Sequence, residues 1–469
     1  MKQRSKVGID DMALYIPKLY LSIATLAEKR NLPYEKLNKG LGLTAMAIPD
    51  VHEDAATMAA QAVAELIDKN ELHPSCIGRI YLGTESALDG AKPTATYVLN
   101  MLHQKYAPLY GLACFQNCDV VDLTFACIGG IDALHNTLDW VRGDEERMGI
   151  VVTSDFAKYE LASTGEYTQG AGSVAMLVKH QPRLLTIDEP VGVGTYSEHD
   201  FYKPLRHISK QQLMEEALDL AGVSELRAAD VLAKLNGSLE VHGVIDDNDE
   251  ILTLHKDTPI FDGQFSNLTY QNRIREAYYN FRTKARAKDI LSEDESILER
   301  WTRLIFHLPY AFHAKRVFSE IFMLEKQRTS DWETIAESND LVVPQKEDFE
   351  GEKDYQKAYA SFLRAITKTS VYKQLIHEKL EKSQRASGLV GNMYACSIFL
   401  ALMSSLHADS EASAILAGNK VGFFGYGSGS KAKVFEAELQ ADWKTVVEGF
   451  ELEKKLTERT EIDYATYEA

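Results

Sequence analysis

Residues 121–142 read VDLTFACIGGIDALHNTLDWVR, and the change of period inside this stretch decides the fold. Val120, Val121, Leu123 and Phe125 form a β-rich apolar approach to Cys127. Immediately afterwards Ile128, Ile131, Leu134, Leu138 and Val141 recur at three- and four-residue steps, the spacing of a helix face. The spacing predicts a strand, a short turn and a helix whose N-terminus holds Cys127. Backbone N–H groups and the positive end of the helix dipole stabilise an anion there, which lowers a thiol pKa and makes a nucleophile. The alternative is a small buried hydrophobe, the ordinary state of a free cysteine. Gly129 and Gly130 leave the first turn without side chains, and we read them as room for a bulky ligand.

The surroundings of this stretch are those of a globular α/β protein. The chain has 469 residues, 45% hydrophobic and 26% charged, enough for two or three domains or one two-lobed unit. A net charge of −18 argues against nucleic acid and against an anionic membrane surface, since both require a surplus of Lys and Arg. No apolar run approaches the ~20 residues of a membrane helix, and the basic amino terminus lacks the apolar core of a signal peptide. The five cysteines are an odd number, which suits a reducing cytoplasm. Cys114 and Cys118 have no second pair at metal-binding spacing, so we read them as structural thiols and expect no metal.

Elsewhere strands and helices alternate. Strands are expected at 6–16, 79–82, 149–155, 170–178, 304–306 and from 421, with helices at 23–29 and 54–68. Glu85 follows the strand at 79–82 and His307 the one at 304–306, beyond the strand ends where ligands bind in α/β sheets. Each has a bland reading as well, a solvated loop carboxylate and a satisfied core histidine. Residues 206–256 are expected to be an inserted helical element or flap with an acidic turn at 245–250. The basic run Arg273, Arg275, Arg282, Lys284, Arg286 and Lys288 reads as a solvated helix face. An apolar helix is expected over 388–406, entered through Gly391 and Asn392, and the tail from Leu452 is charged and needs no functional reading. The glycine-rich turn of VGFFGYGSGSKAKVF (421–435) fits no nucleotide-binding pattern; its N–H groups, for example that of Ser428, suit an oxyanion.

A nucleophile, a carboxylate, a histidine and an N–H donor, each after a strand, are accompanied by short motifs in a fixed order. These are GID, YIPK, GTES around Glu85, the AC of Ala126 and Cys127, TQGAGSVAM (168–176), DFYKP (200–204), FDGQFS (261–266), FHLPY (306–310), GNMY (391–394) and FGYGSGS (424–430). In these the chain resembles the 3-hydroxy-3-methylglutaryl-CoA synthase family of the thiolase superfamily. The resemblance implies a layered αβαβα fold of two similar halves, 1–180 and 181–469, the second carrying the insertion, and a homodimer.

It further implies that Cys127 accepts an acetyl group from acetyl-CoA, that Glu85 is the general acid/base, and that His307 orients the carbonyl of acetoacetyl-CoA. Asn392, Gly427 and Ser428 would lie near substrate or oxyanion, Asp155 and Asp200 would arrange the site, and Thr164, Ser266 and Arg316 would contact coenzyme A. Coenzyme A thioesters are then substrates and no cofactor is expected; the setting implied is mevalonate and isoprenoid synthesis. Three residues depart from the family pattern. Ile128 stands where an aromatic is common, Tyr167 where a proline is, and Phe312 where a lysine reaches a CoA phosphate. With the insertion, these leave open a carrier-protein-bound β-ketoacyl acceptor, and a non-catalytic CoA-binding partner of a thiolase remains the alternative from another class. A decarboxylating ketoacyl synthase is disfavoured by Glu85.

Overall fold

Strand β1 (Val7–Tyr15) opens a mixed sheet continued by β2 (Ile77–Gly83), β3 (Asp119–Leu123), β4 (Met148–Phe156), β5 (Ala171–His180), β6 (Leu185–Ile187), β7 (Gly192–Thr195), β8 (Trp301–Phe306), β9 (Lys420–Gly427) and β10 (Lys431–Leu439). The computed structural model describes residues 6–187, 189–235 and 250–469. Residues 1–200 and 263–469 form one compact unit and residues 201–262 another. In the larger unit the ten strands run in the order β8-β9-β10-β6-β1-β5-β4-β2-β3, with β7 also paired to β10.

The order contains a repeat. β2 pairs parallel with β4, β4 antiparallel with β5, and β5 antiparallel with β1. In the second half β8 pairs parallel with β9, β9 antiparallel with β10, and β10 antiparallel with β6. The halves join where β1 meets β6, at Gly8↔Thr186 and Ile9↔Leu185.

Side-chain alternation along the strands sorts the helices into layers. Ile150 and Val152 of β4 pack with α1 (Ala55–Lys69) and α2 (Thr94–Tyr110), while Val151 joins the core of α3 (Gly129–Arg142). On β9, Gly425 faces Ile131 of α3, whereas Tyr426 meets Tyr270 on α4 (Gly263–Ala287). α5 (Ser397–Glu411) lies beside α3, since a Cβ on Gly130 would stand 3.1 Å from Phe399. The succession is therefore α1 and α2, sheet, α3 and α5, sheet, α4: the expected αβαβα layering. β4 and β5 are buried along almost their whole length, which their runs of apolar residues require when both faces are covered. No helix among the described residues is long and apolar enough to cross a membrane.

Several expectations are corrected. The segment read as helical carries strands as well: Leu205–Ser209 pairs with Ile251–His255, and Phe201–Tyr202 with Ile260–Phe261, beside helices Lys210–Leu220 and Ala228–Leu235. Those strands are two and five residues long with partners distant in sequence, so they leave almost no periodic signal. Apart from Glu250, the acidic turn at 245–250 lies outside the described residues.

The basic run on α4 is only partly a solvated face. Arg282 is buried against Glu325 at 2.9 Å and Arg273 pairs with Glu276 at 2.8 Å, so part of this face is held inside by carboxylates. α5 begins at Ser397, not Gly391, because Glu381–Val390 is a separate helix that ends where Gly391 takes φ +89°. The charged tail is tied to the body of the fold: Thr460 and Glu461 pair with the strand Leu19–Ser22, and the Tyr467 hydroxyl donates to Glu166 at 3.2 Å.

Candidate active site

β3 ends at Leu123 and α3 begins at Gly129, so Cys127 occupies the turn between them, just before the N-cap residue Ile128. Ala126 takes φ +41°, a conformation uncommon outside glycine that turns the chain sharply at the cysteine. The two glycines have a different use from the one expected. A Cβ on Gly129 would stand 2.6 Å from Leu123 O, and one on Gly130 2.3 Å from Thr153 Cγ2. They allow the helix to approach the strands closely, and the space they leave is filled by protein.

That approach brings the end of β2 to the thiol. Cys127 Sγ donates to Glu85 Oε1 at 3.2 Å. Asp155, at the end of β4, holds the carboxylate's backbone: its Oδ1 accepts from Glu85 N at 2.9 Å and Thr84 Oγ1 at 2.8 Å. Its Oδ2 accepts from Ala395 N at 3.0 Å, which ties the loop of Asn392 to the same point. Burial, and after it the charge of Glu85, push Asp155 up to about 7. Asn392 is itself fixed, its Oδ1 accepting from Tyr394 N at 2.9 Å and Ser397 Oγ at 3.1 Å.

The second half supplies the opposite wall. His307 follows β8, its N–H donating to Phe424 O at 3.1 Å and its carbonyl accepting from Tyr270 at 3.1 Å. Burial drives the imidazole down to about 3, so it is neutral at physiological pH and acts as a hydrogen-bonding group. The glycine turn follows β9. A Cβ on Gly427 would lie 2.5 Å from Phe125 O and 2.9 Å from Ile128 N, so the turn rests against the cysteine loop. Asp200 holds it there, accepting from Gly429 N at 2.8 Å and Tyr426 at 2.6 Å, with Ser266 Oγ at 3.4 Å.

The structure thus joins Cys127 to Glu85, Glu85 to Asp155, Asp155 to the Asn392 loop, and Asp200 to the turn of Gly427 and Ser428. Thr164 is exposed in a turn and Arg316 is exposed on the short helix Ala314–Val317, donating to Gly40 O at 2.7 Å. Lys315 Nζ lies 3.1 Å from the centroid of the Phe312 ring. Sequence reasoning missed the tyrosines. The Cys127 charge acts on Tyr159, Tyr270, Tyr394 and Tyr426, and burial, the larger cause, raises all four hydroxyls. Tyr394 and Tyr426 lie inside GNMY and FGYGSGS, but no local pattern marks Tyr159 or Tyr270 as neighbours of the cysteine.

The family model for the N-terminal part of hydroxymethylglutaryl-coenzyme A synthase matches residues 3–182, and that for the C-terminal part matches 253–469. The chain belongs to the hydroxymethylglutaryl-CoA synthase family. A hydroxymethylglutaryl-CoA synthase of Haloferax volcanii is 30% identical over 467 residues, 99% of this chain and 91% of the relative. One from Enterococcus faecalis is 27% identical, with the same coverage. A solved structure described as MvaS in complex with 3-hydroxy-3-methylglutaryl coenzyme A superimposes with a TM-score of 0.75 at 25% identity, covering 99% of this chain and 91% of that one.

Proposed function

We propose that this member of the hydroxymethylglutaryl-CoA synthase family condenses acetyl-CoA with acetoacetyl-CoA through an acetyl group on Cys127. The observation that carries the reading is the 3.2 Å contact of Cys127 with Glu85, at the junction of three strand ends and a glycine turn. Cys127 loses its proton to solvent and attacks the acetyl thioester as the thiolate; the C–S bond to CoA breaks and CoA leaves as its thiolate, which takes up a proton from solvent. Glu85 takes a proton from the methyl of acetyl-Cys127, and the enolate oxygen is held by backbone N–H groups of Cys127 and Ser428. The enolate carbon adds to the ketone of acetoacetyl-CoA, polarised by neutral His307, and the alkoxide is protonated by the acid form of Glu85. Water then cleaves the thioester to Cys127, releasing 3-hydroxy-3-methylglutaryl-CoA and restoring the thiol.

Asp155 and Asp200 serve as positioning residues, one behind Glu85 and one behind the turn. Asn392 borders the acetyl group, while Thr164, Ser266 and Arg316 line the path of coenzyme A. This chemistry requires no metal or redox cofactor. We place the reaction in mevalonate and isoprenoid synthesis in the cytoplasm. The chain is read as two thiolase-like halves with a boundary near 180, assembled as a homodimer through edge strand β3, whose outer row exposes Val121. A contact with an acetoacetyl-CoA thiolase, the source of the acceptor, belongs to the same reading.

Intact-protein mass spectrometry tests it. The wild type gains one acetyl group from acetyl-CoA and loses it on addition of acetoacetyl-CoA as 3-hydroxy-3-methylglutaryl-CoA forms; Cys127→Ser gains none. Acetyl that loads but persists moves the acceptor to a carrier-bound β-ketoacyl group. Failure to load makes the chain a CoA-binding partner without this activity.

A further inference from the structure

The two proposed oxyanion donors belong to different halves of the molecule, and one carboxylate joins the segments that follow them. α3 leaves the cysteine loop at Gly129, and β10 leaves the glycine turn at Lys431. Asp132, on the first turn of α3, accepts Lys431 Nζ on Oδ2 at 2.5 Å and Lys433 Nζ on Oδ1 at 2.8 Å. The three side chains are 13%, 17% and 13% exposed, so the cluster is largely shielded from solvent. Lys431 also lies 4.5 Å from the centroid of the Phe125 ring, two residues before the nucleophile. One turn along α3, His135 packs edge-on against Phe435 with Nδ1 at 2.9 Å from Ile131 O, and burial and then Lys433 hold its pKa near 3. It stays neutral, which leaves Asp132 as the carboxylate shared by the two ammonium groups.

We propose that Asp132, with Lys431 and Lys433, forms a positioning triad that sets the separation of the Cys127 and Ser428 N–H groups. The inference rests on the functional reading above. Two opposed forces meet at this junction. The contact of Gly427 with Phe125 O and Ile128 N is a steric wall that limits how closely the turn can approach. Asp200 fixes the turn from its own half, and the ion triad adds the attraction that draws it toward the start of α3 and that wall. Oxyanion donors act only when aimed at the position where charge develops, and a shift of about 1 Å costs on the order of a hundredfold in rate. Buried ion pairs seldom stabilise a fold more than apolar groups of the same size, so two shielded lysines on one carboxylate are better accounted for by placement than by stability.

The test compares two reactions of one thiol in full-length protein: acetyl uptake from acetyl-CoA, which develops an oxyanion, and alkylation by iodoacetamide, which does not. Asp132→Asn is expected to slow acetyl uptake at saturating acetyl-CoA by about tenfold to a hundredfold, with half-saturation and alkylation unchanged within about threefold. Lys431→Met behaves likewise, and Lys431→Arg, which keeps charge and reach, recovers most of the rate. If Asp132→Asn fails to fold, the apolar triple variant Asp132→Leu, Lys431→Met, Lys433→Met carries the same comparison. Unchanged acetyl uptake, or equal losses in uptake and alkylation, overturns the triad while the wild type still loads acetyl. A wild type that is alkylated but never acetylated overturns the functional reading, and the triad's role with it.

Discussion

Cys127 and Glu85 are 42 residues apart in the chain and 3.2 Å apart in space, which couples the thiol directly to that carboxylate. Under the proposed mechanism the two have separable tasks. Glu85→Ala should still accept acetyl on Cys127, while formation of 3-hydroxy-3-methylglutaryl-CoA falls by about 10²–10⁴-fold in a single-turnover assay. Unchanged condensation would remove Glu85 from its role. His307→Ala should raise the acceptor concentration needed for half-maximal rate and leave acetyl uptake intact; a defect confined to acetyl uptake would contradict the assignment. Asp155 titrates near 7 because it is buried and faces Glu85. Asp155→Asn is therefore expected to remove an inflection near pH 7 from the condensation rate profile, and a profile identical to the wild type's would deny the coupling.

At the scale of elements, the site is the meeting of strand ends. β2 delivers Glu85, β3 and α3 frame Cys127, β4 ends in Asp155, β8 in His307 and β9 in the glycine turn. Most of these elements were legible in the sequence, because β4 and β5 are continuous apolar runs and α3 has a clean helical period. The hairpin strands at 205–209 and 251–255 were not, since pairing across about forty residues leaves no local trace. The role of Gly129 and Gly130 was misread for a related reason: what a missing Cβ makes room for is a property of the neighbouring strand. Gly427→Ala offers a direct check on element geometry. Its methyl would meet Phe125 O and Ile128 N, so acetyl uptake should fall by about 10²–10³-fold, the effect of losing one oxyanion donor. Wild-type uptake by this variant would show that the turn does not hold the oxyanion.

For the whole molecule, the αβαβα layering buries His307 and His313 and shields most of His135, and each is held near 3 chiefly by loss of water. The native state binds fewer protons there than the unfolded chain between about pH 3 and 6.5, so stability falls as pH drops through that window. Asp155 has the opposite sign: its raised pKa favours the native state at low pH, and that contribution is lost as pH rises through about 7. Three groups outweigh one, so the urea midpoint should be lower at pH 5 than at pH 7; an equal or higher midpoint at pH 5 would contradict the burial of these imidazoles. The sequence by itself determined the alternation of strands and helices and the family, and it marked Cys127, Glu85 and His307 as candidates, because hydrophobic period and ordered motifs are local. Only the tertiary structure decided that Tyr159 and Tyr270 come within electrostatic reach of Cys127, that Asp155 backs Glu85, and that Asp132 faces Lys431. Those relations arise from packing the two halves around α3 and α5, and packing is settled by distances that no window of the chain contains.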